Sequence, residues 1–316
     1  MKGFLFITTN GTKVSKDGNE LIVETDGKKH RIPIGAISHV FLMGNVNITV
    51  SAIKFLSTRG RYLFILNKFG RLISVVYPEF IGSDNRYRGY QYLFFKNPEL
   101  CINLTKKLLN QKLESVVKVL AGLYKESGMS FSPVLEWKDS VSASLKSAEN
   151  TDSLLGVDGT ISRFLFSKLA SFNESPFYFE KREYYPPKDP VNALLSLTYT
   201  LFYSVLHPVV ISAGLDPYYG FFHVKRGKHA ALCSDLLELV RPELSLLVFN
   251  TLNDGFFDEN DFLKESGKVY LKGDALKIYL KYFTDIVIHN KEDTYFSKIG
   301  EFIKTIKQEL KRCSTL

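Results

Sequence analysis

The apolar periodicity of this chain changes once, near Pro78, and that change limits the folds open to it. Before it, apolar residues fall in short runs rich in β-branched and aromatic side chains, at residues 3–9, 20–25, 30–33, 38–42, 47–50, 62–66 and 72–77. The turn-forming pairs Asn10-Gly11, Asp17-Gly18 and Asp26-Gly27 separate several of them, so short strands joined by tight turns are predicted. Residues 51–57 read as one short helix capped by Ser51. Residues 81–86, Ile-Gly-Ser-Asp-Asn-Arg, have the composition of a linker. Beyond them the period is helical. Leu104, Leu108, Leu109, Leu113, Val116, Val117, Leu120 and Leu123 make one stripe within residues 100–126. Residues 153–172, 191–206, 230–240, 275–289 and 297–311 are further helices. The expected class is α+β: a small, sandwich-like N-terminal β-sheet domain over residues 1–82, then a larger all-α domain over 83–316.

With 316 residues, 45% of them apolar, the chain can bury a full core. Lys and Arg exceed Asp and Glu by 41 to 33, which suits a polyanionic partner, nucleic acid before membrane. Cys101, Cys233 and Cys313 are odd in number and far apart. That excludes a disulfide scaffold and a paired-cysteine zinc site, and fits a reducing cytoplasm. Residues 191–215 carry no charge, but Asn192, Thr198, Tyr203, His207 and Pro208 make them too polar for a span. A buried helix stopped by Pro208 is expected there, and no membrane association.

Phosphate-binding glycine loops and zinc-protease motifs are absent. Acids on apolar helix faces stand out instead. Asp158 shares a face with Leu154, Ile161 and Leu165, and a carboxylate there needs a partner. That partner is Arg163, another base or a bound cation, unless a helix end near Gly156 exposes the acid. Asp235 and Glu238 lie three residues apart and project from one side of a helix. They form either a cation site or a solvated acidic face, with Arg241 available to Glu238. His223 follows Phe221-Phe222 and precedes the basic turn Lys225-Arg226-Gly227-Lys228. With Asp158, Asp235 and Glu238 it makes a mixed carboxylate and imidazole set, which suits Mg²⁺ or Mn²⁺ better than structural zinc. The basic turn suits phosphates. Together these features point to phosphodiester chemistry.

Four blocks carry a resemblance in order and spacing. They are Leu155-Gly156-Val157-Asp158-Gly159, the run from Tyr185-Pro186-Pro187-Lys188 to Ser196, the run from Gly214 to Gly220-Phe221-Phe222-His223, and Asp235-Leu236-Leu237-Glu238-Leu239-Val240-Arg241-Pro242. The chain resembles the CRISPR-associated adaptation integrases, the Cas1 family, over its whole length. Asn110-Gln111-Lys112 is similar to the family's polar patch on its first long helix. The resemblance implies a Mg²⁺- or Mn²⁺-dependent endonuclease and integrase that inserts short DNA fragments into a CRISPR array through 3′-hydroxyl attack. It implies metal ligands at Asp158, His223 and Asp235, with Glu238 accessory. Lys225, Arg226 and Lys228, with Lys188 and Arg241, are the expected DNA contacts. It implies a homodimer built by the β domain, and a heterohexamer-type complex of such dimers with the small partner Cas2 on double-stranded DNA. Asp158 stands where the family usually has Glu, and Tyr184-Tyr185 where basic residues are expected. A catalytically weak DNA-binding scaffold and a general metal-dependent nuclease remain as alternatives.

Overall fold

The computed structural model describes residues 3–67, 72–78, 86–183, 186–223, 229–288 and 294–314. The chain divides into two compact units. One comprises Met1–Ser83 with Lys272–Thr294, the other Asp84–Leu271 with Tyr295–Leu316. Residues 272–294, expected in the helical domain, thus group with the β unit.

The first unit contains two four-stranded sheets. In one, β1 (Gly3–Ile7) and β7 (Tyr62–Leu66) flank β5 (Ile37–Met43) in parallel, and β8 (Leu72–Val76) adds antiparallel to β7. In the other, β2 (Lys13–Asp17), β3 (Glu20–Thr25) and β4 (Lys28–Pro33) form a meander, and β6 (Asn47–Ile48) joins β2. Asp26 and Gly27 both take positive φ, 51° and 75°, the two-residue turn that closes β3 onto β4. Helix α1 (Val50–Thr58) is capped by Thr49, whose hydroxyl accepts from the Ala52 N–H at 3.2 Å, not by Ser51. Val14, Leu21, Val23, Val40, Leu42 and Leu63 from the two sheets meet Phe55 and Leu56 of α1 in one core. Another side-chain row of the first sheet is an aromatic ladder of Phe6, Phe41 and Phe64, with centroids 4.6 and 4.7 Å apart. Helix α9 (Gly273–Phe283) continues into a π turn at Thr284–Ile288 that packs against β1.

The second unit is built on helices α2 (Arg86–Phe94), α3 (Pro98–Ser127), α4 (Ser132–Ser147), α5 (Thr151–Ser171), α6 (Pro190–Ser212), α7 (Ala231–Leu237), α8 (Arg241–Asn253) and α10 (Thr294–Cys313). A hairpin of β9 (Phe262–Glu265) and β10 (Lys268–Leu271) interrupts them. Strand β2, helices α2, α4 and α8, and this hairpin were not expected. The proposed linker at 81–86 lies outside the described residues except for Arg86, which opens α2. Asn97 caps α3 by accepting from Glu99 and Leu100, and Pro98 fits the first turn.

Pro208 does not stop α6, which runs on to Ser212. An interior proline costs about 3 kcal/mol, and Val210 and Ile211 beyond it are buried. Two such side chains return roughly 1.5–3 kcal/mol each. By length and composition α6 could cross a membrane, yet 72% of its apolar window is buried inside the protein.

His207, on α6, is buried, its Nδ1 has no partner among the described residues, and the rings of Tyr203 and Tyr218 lie 5.6 Å away. Burial pushes its pKa down to about 4, against a smaller upward pull from Asp216. The unfolded chain therefore binds a proton that the folded chain refuses. Stability contributed by neutral His207 is present above pH 6.5 and falls as pH drops toward 4, by about 2 kcal/mol at pH 5. Urea unfolding at pH 7 and pH 5 should show this loss, and His207→Phe should shrink it. An unchanged pH dependence in that variant would count against the assignment.

Candidate functional site

Lys112 lies on the apolar stripe of α3, four residues after Leu108 and four before Val116, and is completely buried. A buried ammonium needs anions. Its Nζ donates to Asp158 Oδ1 at 2.6 Å, to Glu238 Oε2 at 2.6 Å and to Ser162 Oγ at 2.9 Å, so all three donors are used. Asp158 comes from α5, whose start is fixed by a capping box between Asn150 and Ser153. Leu154, Ile161 and Leu165 anchor its face in the core. The Asp158 side chain keeps 20% of its surface exposed, so the acid pair is open on that side. Glu238 sits at the C-terminal cap of α7. Its Oε1 accepts from Arg241 Nη2 at 2.7 Å. The Arg241 guanidinium in turn lies 4.8 Å from the centre of the Tyr199 ring.

Burial would push the Glu238 carboxyl up, but Arg241, Lys112 and His223 outweigh it and hold the pKa down to about 2. Burial likewise disfavours the charged Lys112, and Glu238 and Asp158 more than reverse this, raising its pKa. Both stay ionised at neutral pH.

Asp235 does different work. It is fully buried. Oδ2 accepts from the backbone N–H groups of Phe221 at 2.8 Å and Phe222 at 3.2 Å. Oδ1 accepts from the His223 N–H and pairs with His223 Nδ1, both at 2.8 Å. A Cβ on Gly220 would lie 2.7 Å from Asp235 Oδ2 and 2.9 Å from the Ala231 backbone, so only glycine lets the loop close on the carboxylate. Upstream, buried Gln91 donates to the carbonyls of Asp216 and Tyr219 and accepts from the Asp216 N–H. The stretch from Asp216 to His223 is thus held at both of its ends. Burial opposes the charge on His223, but the bond to Asp235 and the nearby carboxylates raise its pKa. With Nδ1 committed to Asp235, Nε2 is the ring atom left for a substrate or cation.

The structure brings Asp158 and Glu238 together around Lys112, and His223 onto Asp235. Asp235 spends its oxygens on four donors and orients His223, while Glu238, expected as accessory, is the acid that joins Asp158. Of the alternatives for Asp158, the structure shows a salt bridge to a base, and that base is Lys112; the Arg163 guanidinium meets the Thr160 hydroxyl at 3.3 Å. Arg241 pairs with Glu238 and lies over the Tyr199 ring. Lys188 is exposed and 3.6 Å from Glu183. Lys225, Arg226 and Lys228 lie outside the described residues, as do Tyr184 and Tyr185. The central role of Lys112 was missed, although a lysine inside a leucine stripe is the same signal that singled out Asp158.

The family model described as "CRISPR associated protein Cas1" matches residues 5–285. The chain belongs to the Cas1 family. A relative from Rhodospirillum rubrum, named CRISPR-associated endonuclease Cas1 2, is 30% identical over 87% of this chain and 83% of its own length. A Cas4 exonuclease/Cas1 endonuclease fusion from Leptospira interrogans is 30% identical over 87% of this chain. The match covers 53% of that fusion, so the chain spans about half the length of this Cas1 relative. Among solved structures, a Cas1 protein from Thermotoga maritima has a TM-score of 0.84 at 20% identity, covering 97% of this chain and 96% of its own. A Cas6-RT-Cas1–Cas2 complex scores 0.81 at 22% identity, covering 98% of this chain and 35% of that one. A casposase bound to integration product scores 0.78 at 22% identity, covering 98% and 91%. At these identities the Cas1 structures carry the fold: a β-sheet unit followed by a helical one.

Proposed function

We propose that this Cas1 chain is a metal-dependent DNA endonuclease and integrase of CRISPR adaptation. The observation that carries the reading is the convergence of the Asp158 and Glu238 carboxylates on one buried ammonium, beside an imidazole oriented by Asp235. The R. rubrum relative is named an endonuclease, and the casposase neighbour is bound to an integration product. These names support DNA as substrate, and the Cas1–Cas2 neighbour supports Cas2 as partner. A homodimer, its assembly with Cas2 on double-stranded DNA as a heterohexamer, and work in the cytoplasm complete the reading.

Among the described residues no three His, Cys, Asp or Glu side chains form a ready-made metal cage. The donor chemistry nevertheless fits a hard divalent cation: two carboxylates already drawn to one positive charge, and one imidazole nitrogen left open by the bond to Asp235. Asp158, Glu238 and His223 Nε2 would hold Mg²⁺ or Mn²⁺. When bound, such an ion supplies charge stabilisation at the reacting phosphate and lowers the pKa of the attacking hydroxyl. In the reaction a fragment 3′-hydroxyl gives up its proton and its oxygen bonds to a phosphorus of the target strand, the bond from that phosphorus to the 3′-oxygen of the preceding target nucleotide breaks, and that leaving oxygen takes up a proton to become a new 3′-hydroxyl. Asp235 keeps the His223 ring in one tautomer and orientation, and Arg241 holds Glu238 in place.

The test is strand transfer of a short duplex into an array-bearing plasmid, with Mn²⁺ and with EDTA. Metal-dependent joined product is expected, and His223→Ala should lose it by about 100-fold or more while keeping its fold by circular dichroism. A folded wild-type protein with no metal-dependent product, or a fully active His223→Ala, would overturn the reading.

A further inference from the structure

The two carboxylates assigned above belong to helices far apart in the chain, yet each places an oxygen 2.6 Å from the same Lys112 nitrogen. Those oxygens can be no further apart than twice that distance. Two anions so close, one of them almost wholly buried, repel unless a cation lies between them. Lys112 is that cation. Its stem is packed in the α3 stripe, and Ser162 Oγ takes its third hydrogen, so the ammonium is held at one point. Arg241 supplies a second positive charge to Glu238. Asp158 and Glu238 against Lys112 and Arg241 make a cluster of zero net charge.

We propose that Lys112 is a placeholder cation: it keeps Asp158 and Glu238 assembled while no divalent ion is present, and it competes with that ion for them. This rests on the reading of Asp158 and Glu238 as cation ligands. An incoming dication must share or displace the ammonium, and it leaves the cluster with excess positive charge. The phosphates of bound DNA remove that excess. Lys112 therefore weakens metal loading of the DNA-free protein and ties loading to the arrival of substrate. It is a positioning residue, because it touches the acids and not the DNA.

The experiment measures Mn²⁺ binding without DNA, by electron paramagnetic resonance of free Mn²⁺, together with thermal midpoints in EDTA and in Mn²⁺. The proteins are wild type, Lys112→Met and Lys112→Arg. Lys112→Met should melt earlier than wild type in EDTA, recover in Mn²⁺, and bind Mn²⁺ about tenfold or more tightly, since a repelling charge has gone. Lys112→Arg, which keeps the charge, should bind Mn²⁺ like wild type. Equal or weaker Mn²⁺ affinity in Lys112→Met overturns the proposal alone. A Lys112→Met protein unfolded both with and without Mn²⁺ also overturns it, since the dication should have taken the ammonium's place. No Mn²⁺ binding by any of the three overturns the assigned ligand set and the proposal with it.

Discussion

Glu238→Ala is expected to destabilise the helical unit by about 3–5 kcal/mol, because it removes the anion shared by two largely buried cations. Lys112 is fully buried, and the Arg241 side chain is only 14% exposed, so water cannot replace the carboxylate. Strand transfer should become undetectable in the same variant. The pH dependence gives an independent check. The Glu238 carboxyl is held at about 2 in the folded protein, against a usual value of 4.5. A depressed carboxylate pKa stabilises the fold above pH 4.5, and that stabilisation drains away as pH falls toward 2. Urea unfolding of wild type and Glu238→Ala should differ most at neutral pH and converge near pH 2. A deficit below about 1 kcal/mol at pH 7, in the range of an exposed pair, would show that Lys112 and Arg241 have other compensation.

Asp235→Asn should produce the second large loss, for a different reason. The carboxylate accepts three backbone N–H bonds and pairs with His223 Nδ1. Asparagine offers one oxygen, and its NH₂ must then face an N–H donor. Losing two charge-assisted bonds with the donors left buried costs about 2–4 kcal/mol. The His223 ring also loses its orienting partner, so strand transfer should fall about 100-fold. With Asp158, Glu238 and His223 proposed as the ligands, Mn²⁺ should still bind, weakened by roughly tenfold. Complete loss of Mn²⁺ binding in a folded Asp235→Asn protein would return Asp235 to the ligand set.

The sequence reading succeeded where one face of an element is decided by its own period. The change near Pro78 separates sheets from helices, and Tyr62–Leu66 and Glu20–Thr25 appear at the expected bounds. It failed where long-range packing decides. Strand β2 reads Lys-Val-Ser-Lys-Asp and exists because β3 and β6 pair with it. Helix α6 outlasts Pro208 because buried side chains beyond it compensate. Asp158 was legible as an acid in an apolar stripe, but its partner lies on another helix. Spacing alone could not rank Asp235 against Glu238. Three residues apart, they separate only because α7 ends between them, and because a distant loop delivers its N–H groups to Asp235.

The β unit is not contiguous in the chain: Lys272–Thr294 belongs to it, and about 190 residues of the helical unit lie between. On the ribosome, β1 to β8 therefore emerge long before α9 and the π turn that packs against β1. At 5–20 residues per second, the gap is roughly 10–40 s. For that interval the nascent sheet lacks part of its native packing. The half-minute after Ser83 has been made is therefore the period in which a chaperone has most to protect in this protein.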